Sequence, residues 1–271
     1  MQTFHSLLKG VSRSFYLSLC LLPASVRPTL SLAYLLARAS DAVADAAAAP
    51  LSLRRDLLVG LPGKWTSAEG LVSLPEAEKD LLEALPALIR QAEASPDREE
   101  ILDVWKTIRS GQLFDLQRFS PGAPALSLAE ATHYTGLVAG CVGKFWTEIC
   151  FKHIPGYSRE PLGAMSGLGF DFGCGLQWIN ILRDRCEDAA AGRLYVPPED
   201  FPAALRIARE NLASGARYVR HVRPRRLRVA CRLPLDIGVR TLDLVEKNPR
   251  APRAKVPRGF VWITLLRALW H

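Results

Sequence analysis

The sequence predicts an all-α protein. Apolar residues recur at spacings of three and four at Leu30, Tyr34 and Ala37, at Leu81, Leu82, Leu85, Leu88 and Ile89, and at Ile101, Val104, Trp105 and Ile108. That period puts side chains on one face of a helix. Alternating β-branched runs between turn signals are nearly absent, and the one short extended candidate is Leu194 to Val196, ahead of Pro197 and Pro198. Breaks fall near 61–63, 120–124, 155–156, 192–202 and 248–257, each short enough to join one helix to the next.

Taken in order, the amino-terminal stretch MQTFHSLLKGVSRSF has polar residues every few positions and no apolar h-region, so it does not read as a secretory signal. The periodic segments then follow with no linker-like composition between them. No repeat of fixed period appears, and the alanines at 46–49 are the only low-complexity tract. A single helical domain over 1–271 is the expectation. The glycines of GLGFDFGCG at 167–175 do not form GxGxxG and follow no strand, so no dinucleotide-binding fold is predicted there. A closing apolar run, Gly259 to Trp270, contains Arg267 and is too short to span a bilayer; a docked core helix is expected over an interfacial anchor.

Composition narrows the function classes. The 271 residues carry 35 Lys and Arg against 27 Asp and Glu, a net +8, with 49% hydrophobic and 23% charged residues. A disordered chain would lack the apolar surface to offset its ordering entropy, and no window approaches the roughly 20 apolar residues of a membrane span. The six cysteines show no CxxC pair and no His-Cys spacing of a structural zinc site, so a reduced cytoplasmic chain is expected. The positive surplus admits nucleic acid, an anionic membrane surface or a phosphorylated substrate as partner.

Two acidic patterns point to chemistry. In LAYLLARASDAVAD, Asp41 and Asp45 lie four apart on one helix face, one turn after Arg38. Like charges at that spacing destabilise a helix, so a compensating cation is called for; a solvated face is the plain alternative. In GLQWINILRDRCEDAAAGRLYVP, Asn180, Asp184 and Asp188 form a second ladder, with Glu187 beside it and Arg183 next to the first aspartate. Oxygen donors on a rigid face suit Mg²⁺, which binds one or two carboxylates and completes its shell with phosphates and waters. Two such faces would together hold metal ions that bind a diphosphate, with Arg38, Arg183 and Arg193 as fixed donors to phosphate oxygens.

These motifs resemble those of the squalene and phytoene synthases, which join two prenyl diphosphates head to head. The resemblance runs through SRSF at 12–15, LP at 22–23, the DxxxD stretch, YTGLVAGCVG at 134–143 and GLQWINILRDRCEDAAAGRLYVP at 175–197. The QxxNIxRDxxED run with GRxYxP after it is the most specific part. SRSFYLSL, AYLLARASD and VAGCVGKFWTEIC look most like bacterial squalene synthases.

The resemblance implies a helical bundle of the isoprenoid synthase type with a central cavity. It also implies Mg²⁺ held by Asp41 and Asp45 on one face and by Asn180, Asp184 and Asp188 on the other. Farnesyl diphosphate would be the substrate, presqualene diphosphate the intermediate, and NADPH the hydride source for squalene. Tyr134 matches a family tyrosine that assists proton removal. Ser12 and Ser14 match a diphosphate-contacting turn, where a helix cap is the alternative. Tyr34, Gln177 and Tyr195 fall near the polar end of the pocket. Gly136, Gly140 and Gly143 would allow close approach of a prenyl chain or a neighbouring helix. Phe15, Leu19, Val138, Val142, Phe145 and Leu176 would line the apolar part, or simply pack the core.

Gln112, where relatives carry methionine, and Leu137, where aromatic or basic residues are common, depart from the pattern. They leave presqualene diphosphate, dehydrosqualene and phytoene open as products. A non-catalytic relative would have lost its carboxylates, and both ladders are intact here. Residues 217–258 hold 13 Lys and Arg against 3 Asp and Glu. The basic surplus is therefore assigned to peripheral contact with the inner face of the membrane, with nucleic acid last among the partners.

Overall fold

The computed structural model describes residues 4–11, 15–60, 73–119 and 124–249, without the side chains of His5, Phe15, Tyr16 and Leu17. About 81% of the described residues are helical and none of them lies in a strand, in agreement with the all-α expectation. Leu194 to Val196, the extended candidate, is irregular: Leu194 uses its carbonyl to accept from the Leu126 amide (3.0 Å) rather than to pair in a ladder. The apolar run at 259–270 and Ser12 and Ser14 lie outside the described residues. Among the described residues no helix is long and apolar enough to cross a membrane.

Chain contacts divide the molecule into two compact units. The first holds α1 (Phe4–Val11), α3 (Arg27–Ala44), α4 (Leu51–Val59), α5 (Glu76–Glu93) and α6 (Arg98–Arg118, but for its last residue), together with most of α2 (Phe15–Leu21). Helix α3 is its centre and packs on α1, α4 and α5. Pro28 near its start needs no amide partner, and Leu35, Leu36 and Ala39 are wholly buried opposite the ladder face. Leu81 and Leu85 of α5 are equally sealed. A buried hydrogen bond from Thr29 Oγ1 to Asp97 Oδ2 (2.6 Å) ties the start of α3 to the turn between α5 and α6. A buried acceptor of this kind is costly to leave unmet, so the bond sets where α3 sits against that turn.

The second unit is built around α9 (Leu162–Ala190), a 29-residue helix on which α7 (Leu128–Thr135), α8 (Cys141–His153), α10 (Phe201–His221) and α11 (Arg225–Lys247) all pack. Trp178 of α9 is completely buried. Between α7 and α8 the chain makes a π-helical turn, Gly136–Gly140. Here the helices approach until backbone meets backbone. A Cβ on Gly143 would lie 1.9 Å from the Gly169 carbonyl oxygen, and one on Gly173 would lie 2.1 Å from that of Ala139. Close approach to a neighbouring helix, one of the two uses expected for these glycines, is thus observed. A buried chain of hydroxyls, Thr147 to Tyr218 (2.9 Å) and Tyr218 to Tyr157 (2.5 Å), pins α8, α10 and the loop before α9. Burial pushes the Tyr157 and Tyr218 hydroxyls well above their usual range, so they act as neutral hydrogen-bonding groups.

Candidate active site

The first acidic face belongs to the first unit. Arg38, one turn before Asp41 on α3, reaches two carboxylates: Nη1 bonds Asp41 Oδ2 and Nη2 bonds Glu78 Oε1 of α5. The arginine therefore bridges the ladder to the neighbouring helix. Asp45 caps the end of α3, exposed, four residues on. Tyr34, one turn before Arg38, donates its hydroxyl to the Val11 carbonyl (3.3 Å). The Asp41 carboxyl is pushed up to about 6, first by desolvation and then by the negative charge of Asp45, against the lowering effect of Arg38. Its side chain nevertheless keeps 45% exposure, so it is recessed among protein atoms yet open to a ligand. A carboxyl held high by burial and a like charge is one that a cation would ionise.

The second face belongs to the second unit, along the last three turns of α9. Asn180 is exposed and donates Nδ2 to Gln177 Oε1 (3.2 Å), which brings together two of the expected residues. Arg183 grips Asp184 with both Nε (2.8 Å, to Oδ1) and Nη2 (to Oδ2), a two-pronged contact that fixes the carboxylate plane. Arg193 Nη2 bonds Asp188 Oδ1 (2.9 Å). Desolvation raises the Asp188 carboxyl; Arg193 works against this, and Asp184 and Glu187 add to it.

The Arg193 contact follows from the way α9 ends. Gly192 takes φ +80°, a left-handed conformation with little penalty only for glycine. Its amide bonds the Ala189 carbonyl (3.0 Å), and the Arg193 amide bonds that of Asp188 (2.8 Å). This pair of bonds is the Schellman cap, which folds the chain back over the last helical turn. The residue after the glycine is thereby returned to the level of Asp188.

Tyr134 lies on α7, in the same unit. Ser127 and Glu130 start that helix with a reciprocal capping box, and Arg118 Nε holds Glu130 at 2.9 Å. The Tyr134 ring stacks on Tyr195 (centroids 5.4 Å apart, 28° between planes), and Phe119 meets Tyr195 edge-on at 4.7 Å. Tyr195 is buried, so two residues 61 apart in sequence share one aromatic platform immediately before the π-helical turn. Of the residues expected to line a pocket, Leu19 and Phe145 are sealed in the interior, while Val138, Val142 and Leu176 keep accessible surface. The Phe15 side chain is outside the described residues.

Sequence reasoning missed Glu78, Phe119 and the capping role of Gly192. The GR pair after a helical acid ladder carried a signal for the last; nothing marked Glu78, whose part depends on α3 meeting α5.

The donor set fits a hard divalent cation, since each ladder offers oxygen donors only. Among the described residues no three His, Cys, Asp or Glu gather tightly enough to hold a metal ion alone. A metal here would complete its shell with substrate oxygens and water, the ordinary habit of Mg²⁺.

Comparison with known proteins settles the family. The model of the squalene/phytoene synthase family matches residues 8–206. The chain belongs to that family. Its members are prenyltransferase-type enzymes of isoprenoid biosynthesis. The chain is 29% identical over 197 residues to the bifunctional lycopene cyclase/phytoene synthase of Colletotrichum graminicola, across 69% of this chain and 32% of that protein. It is 25% identical over 284 residues to the squalene synthase of Yarrowia lipolytica, across 90% of this chain and 61% of that protein. The chain thus spans about a third of the length of the first relative. A structure of TcSQS with the ligand E5700 matches with a TM-score of 0.80 over 98% of this chain and 84% of that one, at 20% identity. The fold is that of the isoprenoid synthases.

Proposed function

We propose that this chain is a squalene synthase: it condenses two farnesyl diphosphates head to head through presqualene diphosphate and releases squalene after reduction by NADPH. What supports this reading most is the α9 ladder, where Asp184 and Asp188 each carry an arginine and stand one turn apart behind Asn180. Asp41 and Asp45 with Asn180, Asp184 and Asp188 would hold Mg²⁺, whose charge makes diphosphate a competent leaving group. Arg38, Arg183 and Arg193 bind and orient phosphate oxygens, exchanging a carboxylate partner for a phosphate one. Gln177 orients Asn180, and Tyr34, Ser12 and Ser14 would contact the substrate. Tyr134, stacked on Tyr195, would assist removal of the proton lost in the first condensation. Val138, Val142 and Leu176 keep water from the cations formed as diphosphate departs. NADPH would supply the hydride for the last step. The two units act as one catalytic domain, 1–271.

A second reading, phytoene synthase, draws on the bifunctional lycopene cyclase/phytoene synthases at 29% identity. Presqualene diphosphate remains as the product of the first condensation alone, and dehydrosqualene as that of a second ionisation ended by loss of a proton instead of addition of hydride. Incubation of the purified protein with farnesyl or geranylgeranyl diphosphate and Mg²⁺, with and without NADPH, followed by extraction and mass analysis, separates these. Squalene formed only with NADPH supports the proposal, whereas a C40 product replaces it with phytoene synthase. Asp41→Asn and Asp184→Asn should each lower turnover at least a hundredfold, on the order of the loss when one group that stabilises a charged transition state is removed. Near-normal rates in both, with helicity intact, would remove the metal assignment.

A further inference from the structure

Residues 217–228 contain six arginines and a histidine and no acid. Arg220 lies in the last turn of α10, where a cation complements the helix dipole, with Arg217 one turn earlier. Arg225, Arg226 and Arg228 open α11, where the dipole disfavours them, and no acid offsets them in the first turn. Cations placed against their own helix call for a reason outside the stability of that helix.

Tertiary structure enlarges the cluster. The loop before α9 runs antiparallel beside the turn between α10 and α11, with Ser158 bridged to Val222. The Arg159 amide bonds the His221 carbonyl (3.1 Å), and the Arg223 amide bonds that of Tyr157 (2.9 Å). Arg159 thus joins a patch 60 residues further along the chain. Arg159, Arg217, Arg220, Arg223, Arg225 and Arg226 are all exposed, over a platform of Tyr157, Val222 and Leu227 that is fully buried. Glu160, the acid that adjoins this corner in the chain, faces His221 at 3.7 Å rather than an arginine. Leu162, three residues beyond Arg159, leaves 42% of its surface in solvent.

We propose that this corner, Arg159 with Arg220, Arg223, Arg225 and Arg226, is a docking surface for an anionic lipid bilayer, with Leu162 entering the headgroup region. Clustered arginines attract an anionic leaflet, and an exposed aliphatic side chain near them adds apolar contact. Single-stranded nucleic acid would call for exposed aromatic rings among the cations. The aromatic residues here, Tyr157 and Tyr218, are sealed inside. The inference stands on this geometry and does not depend on the reaction proposed above, although an apolar product would make such contact useful.

The test is sedimentation of the full chain, without substrate, on vesicles of phosphatidylcholine alone or with a third phosphatidylglycerol. Binding to the anionic vesicles only, weakened by salt, is expected. The triple variant Arg220→Gln/Arg223→Gln/Arg226→Gln should lose roughly a hundredfold in partitioning, from about fivefold per cation. A control of equal net charge, Arg55→Gln/Arg90→Gln/Arg206→Gln, removes exposed arginines elsewhere and should lose far less. Circular dichroism and Tm check that both fold. Absence of binding by the parent chain, equal loss in the two variants, or unchanged binding by the first would overturn the proposal. So would tighter binding of the same corner to an RNA or DNA oligonucleotide than to the vesicles.

Discussion

Replacing Gly173 with alanine places a methyl group 2.1 Å from the Ala139 carbonyl oxygen. An ordinary contact begins near 3.4 Å, so α9 and the π-helical turn must part by the difference, 1.3 Å, because both atoms belong to backbone. Alanine in a helix interior is worth about 1 kcal/mol over glycine. Overpacking in a filled core typically costs about 1–3 kcal/mol, and a backbone obstacle belongs at the upper end. The net expectation is a loss of about 2 kcal/mol. Gly167, on the same helix, has nothing within 4 Å of its added methyl, so Gly167→Ala should gain about 1 kcal/mol. The two variants should differ by about 3 kcal/mol, or some 6–12 °C in Tm for a protein of this size. Thermal melts followed by circular dichroism measure this directly. If Gly173→Ala melts as high as Gly167→Ala, the tight contact between α9 and the π-helical turn is refuted.

Gly192→Ala forces a side chain into φ +80° and weakens the cap that returns Arg193 to Asp188. It should cost about 1 kcal/mol in stability and raise the KM for diphosphate substrate more than Asp188 chemistry alone would, as read from steady-state kinetics. The Glu130 carboxyl is held down from 4.5 to about 2, first by its bond to Arg118 and then by Ser127. A carboxyl lowered by folding stabilises fully above about 4.5 and loses that effect as pH falls through about 2. Acid melts of the parent should therefore steepen in that window, and those of Glu130→Gln should not. Cys231 is pushed up to about 12 by burial and Cys150 well above its usual range, whereas Cys20 and Cys186 are exposed. At pH 8 a thiol reagent should label Cys20 and Cys186 in the folded protein and reach Cys150 and Cys231 only after denaturation.

Most of the fold class was legible because helix periodicity is local. Spacings of three and four among Leu81, Leu85, Leu88 and Ile89 depend on nothing beyond one helix, and those residues are buried as expected. The acid ladders were legible for the same reason, since four residues along a helix is a fixed distance. The π-helical turn was not, because GLVAG extends a helical pattern without interruption. What accompanies it is the proximity of α9, whose Gly169 and Gly173 meet the backbone at Gly143 and Ala139. The aromatic stack of Tyr134 on Tyr195 was likewise out of reach, although both residues had been singled out separately.

The order of charges along the chain determined which helices carry oxygen donors, where each arginine stands beside its acid, and that the basic surplus lies late. Those properties are written in residue identity and helical spacing. Which arginine serves which second partner was decided only in three dimensions, as Arg38 shows by spanning from Asp41 to Glu78 of another helix. The same holds for Arg159, which is brought to the late basic cluster by its amide bond to His221 and by that of Arg223 to Tyr157, contacts that no local pattern announces. Coulomb attraction and hydrogen bonding act through space, so packing of the apolar faces first has to bring distant segments within reach.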